Sequence, residues 1–142
     1  MAFISMIFAM AAVIAAFSLI CYIICAIGNW KVFTKAGEEG WKAIIPIYNN
    51  YVSYKISWNT KMFWIMLGCL VINFLCSKIG GFVGTLGGLF SLAATILTFI
   101  QCTKLAKAFG HGIGFAIGLF FLNPIFVILL GFDSSSYLGP QE

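Results

Sequence analysis

Groups able to do acid–base or nucleophilic chemistry are few in this chain, and they stand apart. The acidic residues are Glu38, Glu39, Asp133 and Glu142, the one histidine is His111, and every basic residue is a lysine. Serine–lysine catalysis needs a serine oxygen beside a deprotonated lysine. Ser53 and Ser57 flank Lys55, but an offset of two residues puts each on a different helix face from it. His111 lies between glycines, where a solvated imidazole is expected. Paired carboxylates, H-E-x-x-H, G-x-S-x-G and a phosphate-binding glycine loop are missing, and the glycines of Gly80–Gly88 follow no strand pattern. Cys21 and Cys25 share a helix face, as do Cys69 and Cys76, but neither pair has a closely spaced histidine, so these thiols read as small hydrophobes rather than metal ligands. The chain therefore reads as a non-enzyme without a cofactor.

Neutral polar residues inside apolar runs are the other candidates. Asn73, Thr95, Thr98 and Asn123 fall in such runs, and Asn49, Ser53 and Ser57 repeat at i,i+4 to form a polar ridge. Together they would line a narrow polar path or contact a small ligand. The competing expectation is that they only bond neighbouring helices, at about 0.6–2 kcal/mol each.

The elements that must position them belong to a membrane. Apolar side chains make up 62% of the sequence and charged ones 8%, with a mean hydropathy of +1.05, far from the composition of soluble domains. Four apolar runs predict an all-α, polytopic protein in one integral membrane domain, residues 1–142, with spans at about 3–27, 62–77, 82–103 and 114–132. The first run is too long, and lacks the basic start, to be a signal peptide. Gly28-Asn29 should end it, Gly80-Gly81 should make a tight turn, and Asn123-Pro124 should kink the fourth span. Gly80, Gly84 and Gly88, and likewise Gly114 and Gly118, repeat at four and predict close helix packing.

Between the first two spans lies the one long polar segment, 29–61. It mixes lysine with aromatic residues, and Trp30, Lys31, Lys35, Trp41, Lys42, Lys55, Trp58 and Lys61 are expected to meet anionic lipid headgroups. Pro46 should open an amphipathic interfacial helix here that runs on into the second span. With four spans, this segment and Lys104–His111 share one side and hold seven of the eight lysines. The positive-inside rule then puts those connections in the cytoplasm and both termini outside it. The lack of arginine, and lysines that flank apolar runs, argue against nucleic-acid binding.

Trp41, Ile45, Pro46, Ile47, Tyr48 and Asn49 form a W-x3-IPIYN core. With Leu105–Gly110, Gly114–Phe126 and Leu130–Gly139 this resembles a family of uncharacterised bacterial four-span membrane proteins, sometimes labelled signal peptidase I. The sequence lacks that enzyme's serine motif, a suitably placed lysine and its β domain. The resemblance implies a multi-pass protein of the bacterial cytoplasmic membrane and no activity. The expectation is a non-enzymatic scaffold or accessory subunit that pairs with its own copies or another membrane protein; the alternative is a small oligomeric channel or transporter for a small polar solute.

Overall fold

The computed structural model describes residues 1–141, which fold into helices. Three are long and apolar enough to cross a membrane: α1 (Ala2–Lys35), α3 (Thr60–Ile79) and α4 (Gly81–Ala108). Between α1 and α3 lie a 3₁₀ turn, Gly40–Ala43, and the short helix α2, Pro46–Ser57. After α4 come α5 (Ile113–Phe121), α6 (Asn123–Phe132) and an extended tail.

The first helix runs 34 residues, about 51 Å at ~1.5 Å per residue, and does not stop at Gly28-Asn29. Gly28 is instead the crossing point with α6. A Cβ there would lie 2.5 Å from Val127 Cγ1, and one on Gly131 would lie 2.8 Å from the Gly28 carbonyl oxygen. The true stop is Gly37, whose φ of 81° only glycine adopts cheaply. Its amide donates to Thr34 O and that of Glu38 to Phe33 O, which satisfies the last carbonyls of the helix. The end of α4 repeats this device, with Gly110 left-handed and His111 N–H donating to Ala106 O.

Pro46 does open α2, but the helix does not run into the second span. Trp58 leaves the helical region, and the Asn59 side chain accepts from Lys61 N–H to start α3 afresh. Nor is α2 wet on one side, because Val52, Tyr54, Ile56 and Ser57 are all buried. The tight turn after α3 is as expected, with Gly80 and Gly81 both at positive φ. The α3–α4 hairpin packs on Gly87 rather than on the predicted glycines: a Cβ on Gly87 would meet Asn73 Oδ1 and Cys76 Cβ at 3.0 Å, whereas Gly88 and Gly114 face open space and Gly84 has only ordinary contact.

The apolar run 114–132 is not one rod. Leu122 breaks it (φ −120°, ψ 48°), and α6 folds back on α5. Phe115 and Phe126 stack edge to face with centroids 5.1 Å apart, although eleven residues of straight helix would separate them by about 16 Å. Gly118 lies under the Phe126 ring, as its lack of a side chain permits. At the open end of this hairpin His111 and Asp133 meet, Nε2 to Oδ2, at 2.8 Å. The tail therefore returns to the end of the bundle that carries Lys35, and lies about the full length of α1 from Met1. Both termini on one side no longer fits this geometry.

Packing is concentrated at that same end. Val32 and Phe33 of α1, Val52 and Ile56 of α2, Leu105 and Phe109 of α4, Leu119 of α5 and Leu130 of α6 form one buried core. Phe63, Met66, Tyr54 and Ala94 form a second beside it. By contrast, every residue from Met1 to Ile20 is exposed.

Candidate functional site: a polar cavity between the helices

Between the hairpin tip, α1, α2 and the α3–α4 pair lies a cavity of about 370 Å³. Its polar lining comes from Asn29 of α1, Asn49, Asn50, Ser53 and Tyr54 of α2, Thr98 and Gln101 of α4, and Asn123 at the hairpin tip. Leu70, Met66, Leu105, Leu119 and Val127 supply apolar wall, and Cys25 and Cys102 add thiols. No charged side chain lines it among the described residues.

The ridge on α2 turns inward because Val52 and Ile56 on neighbouring faces anchor the helix in the core. Its polar atoms then form a chain. Ser53 Oγ donates to Asn49 Oδ1 (3.5 Å), Ser57 Oγ donates to Ser53 O (2.5 Å), and Gln101 Nε2 donates to Ser57 Oγ (3.1 Å). Gln101 is buried, and this bond fixes its amide across the gap between α4 and α2. Across the cavity Asn123 Nδ2 donates to Leu119 O, and Cys25 lies 3.7 Å from Asn123 Oδ1, joining α1 to the hairpin tip. One group is left over. The Tyr54 hydroxyl is buried and has no hydrogen-bond partner among the described residues, a state that ordinarily costs about 1–3 kcal/mol.

Of the residues predicted for a polar path, Asn49, Ser53, Thr98 and Asn123 do converge here. Ser57 stands one step behind the wall and holds Gln101. Asn73 faces Gly87 within the α3–α4 contact. Thr95 is exposed and bonds its own helix at Ser91 O. Gln101, Tyr54, Asn29 and Asn50 were not predicted. Gln101 had a legible signal, a lone amide on the Thr98 face one turn before Lys104, whereas Tyr54 read only as an interfacial ring.

The lysine-rich end closes the cavity with ion pairs rather than presenting all its cations to lipid. Glu38 binds Lys42 at 2.8 Å and Lys55 at 2.6 Å, and these hydrogen bonds hold its carboxyl below the usual carboxylate range. Lys35 donates to Asp133 Oδ1 at 2.8 Å and to the last carbonyls of α6 at Leu130 and Asp133, where a cation suits the helix dipole. Burial would raise the Asp133 pKa, but bonds from Lys35, Ser135 and His111 outweigh it and bring it to about 2. The tail is laced over this end, with Tyr137 OH donating to Ile56 O (2.7 Å), Leu138 N–H to Ala108 O (2.7 Å) and Gln141 N–H to Ser57 O (2.9 Å). Trp30, Lys31, Trp41 and Lys61 do remain exposed, and Trp58 is half-buried under Lys104.

A model of a family of unknown function, DUF5684, matches residues 41–140. The chain belongs to that family. The DUF5684 match starts at the 3₁₀ turn and takes in α2 to α6 and most of the tail, so most of the cavity lies within it and α1, with Cys25 and Asn29, lies before it. No curated protein and no solved structure matches the chain.

Proposed function

We propose that this DUF5684 member is a non-enzymatic integral protein of a bacterial cytoplasmic membrane that binds a small uncharged polar group in the cavity. In this reading α1, α3 and α4 cross the bilayer, and the α5–α6 hairpin dips in from the lysine-rich side and returns to it. Seven of the eight lysines lie at that end, so the positive-inside rule makes it cytoplasmic, with Met1 outside and the tail inside. Backbone that breaks at membrane depth, as at Leu122, is tolerated where it is enclosed by protein or lines a cavity.

The observation that carries the binding role is the unpartnered Tyr54 hydroxyl in a cavity whose other polar groups are neutral amides and hydroxyls. Such a surface suits a solute that both donates and accepts, and it offers no counter-ion to a charged one. Wild-type protein and Gln101→Leu, each purified in mild detergent and extracted with solvent, should differ by a neutral compound present only in the wild type. Identical extracts would contradict the proposal.

A second reading, an accessory subunit, draws on α1. Residues Met1–Ile20 are exposed throughout, and Ser5, Ala9, Ala12 and Ala16 give that stretch a small-residue face. Crosslinking from Ala12→Cys to a second membrane protein or a second copy would support it; a purely monomeric product would not.

A further inference from the structure

We infer that the ligand is a lipid with an uncharged hydrogen-bonding head, of the alcohol or acylglycerol kind, whose head occupies the cavity and whose chain rises between α1 and the α3–α4 pair. This rests on the binding role proposed above and specifies its ligand class.

The cavity has a floor and no roof. Among the described residues, no Cα of α1 comes within 8 Å of α3 or α4. What joins the two sides is α2 and the α5–α6 hairpin. The hairpin reaches only to the level of Cys25, which its tip residue Asn123 touches. Beyond that level α1 continues through Ala2, and α3 and α4 continue to their turn at Gly80-Gly81, with nothing between them. At the rim Leu70 and Val127 are apolar, and the α1 residues that follow on are too, Cys21, Phe17 and Ile14 among them. In a bilayer such a slot is filled by hydrocarbon chains.

Polarity thus changes along one axis, from amides and hydroxyls next to the lysine-rich end to hydrocarbon towards the bilayer centre. A lipid of the lysine-side leaflet has this same order from head to chain, so it can slide in sideways without turning over. Water-soluble solutes lack a chain to match the slot. A phospholipid would bring a phosphate into a lining that has no cation, because Lys35, Lys42 and Lys55 are already paired with Asp133 and Glu38 below it. An alcohol or acylglycerol head has no such penalty, and its hydroxyl can pair with the Tyr54 hydroxyl that the protein leaves unpartnered. A volume of about 370 Å³ holds a glycerol-sized head and the start of its chains.

The test uses the full chain in nanodiscs, probed with dioleoylglycerol, with dioleoylphosphatidylglycerol and with glycerol, by native mass spectrometry. Dioleoylglycerol carrying a diazirine near the middle of its acyl chain adds the site of contact. Dioleoylglycerol should be retained and should crosslink to α1 near Phe17 and Cys21 and to α3 near Leu70. Leu70→Trp, which narrows the slot and leaves every polar group in place, and Gln101→Leu should each cut retention about tenfold. Equal retention of the phosphatidylglycerol would overturn the uncharged-head inference. Retention of glycerol without the diacylglycerol would overturn the lipid inference and leave the cavity's binding role standing. Retention of no probe, while the solvent extracts still differ at Gln101→Leu, would overturn the inference alone; loss of both would remove the binding role as well.

Discussion

The two ends of this bundle are built on opposite plans. At the lysine-rich end six helical segments and the tail meet in a buried core, two left-handed glycines finish α1 and α4, and every ion pair is found there. At the other end α1 is bare, and α3 and α4 join through Gly80-Gly81 with Lys78 as the only charged side chain near them among the described residues. Both ends are about equally apolar in sequence. What separates them is the hairpin, which uses nineteen apolar residues to fill one half of the molecule instead of crossing it, and so gathers polar groups from α1, α2, α4 and α6 into one chamber. Apolar residues in lipid gain little by touching one another. The built end is therefore held by shape, ion pairs and satisfied backbone, and the bare end is left to the bilayer.

The largest expected effect lies at the glycine crossing of α1 and α6. Gly28→Leu should destabilise the protein by about 3 kcal/mol or more, because its side chain would run into the Val127 and Ile128 backbone. Gly88→Leu at the bare end should change thermal unfolding in detergent hardly at all, since nothing lies within 4 Å. If the two variants melted alike, the contrast between the ends would be lost.

Next comes Asp133→Asn, which leaves Lys35 without its carboxylate and loosens the open end of the hairpin. A loss of about 1–3 kcal/mol is expected for a partly buried, multiply bonded carboxylate. The pH dependence has a definite sign. A carboxyl depressed to about 2 stabilises the fold above its unfolded value near 3.8 and loses that stabilisation as pH falls through its folded value. Wild-type unfolding should therefore hold level between pH 7 and 5 and weaken from about pH 4 towards 2, while Asp133→Asn should lack most of that step. Glu38, also lowered, adds to the step in both proteins.

The smallest effect is the most diagnostic of the chamber. Tyr54→Phe removes an unpartnered buried hydroxyl and should leave ligand-free stability unchanged or raise it by about 1 kcal/mol. Destabilisation by 2 kcal/mol in ligand-free protein would mean that the hydroxyl already has a partner and is not held for a ligand.

Much of this organisation was legible in residues. The uncharged run before Gly28, the Gly80-Gly81 turn and Pro46 as a helix start all follow from local rules that tertiary packing does not override. The fold-back at Leu122 was not legible, because 114–132 has the length of a span and Asn123-Pro124 is as compatible with a kink as with a reversal. That one reversal also moved the tail to the other side and turned Asp133 from an edge residue into a clamp. The α2 ridge was read correctly as a stripe but given the wrong surroundings, since periodicity marks a face without saying whether lipid, water or protein lies against it. For the same reason the repeat of glycines at four could not tell Gly87, which packs, from Gly88, which does not.

The central claim is that α5 and α6 fold back, and cysteine accessibility in intact cells tests it most directly. In a protein stripped of its native cysteines, single cysteines are placed at Ala2, Glu39 and Ser136 and offered an impermeant maleimide from outside. Labelling at position 2 alone, with 39 and 136 both protected until the cells are opened, is the expected result. Labelling at 136 with protection at 39 would mean that 114–132 crosses the membrane as a single span, and the cavity as described would have no hairpin to close it.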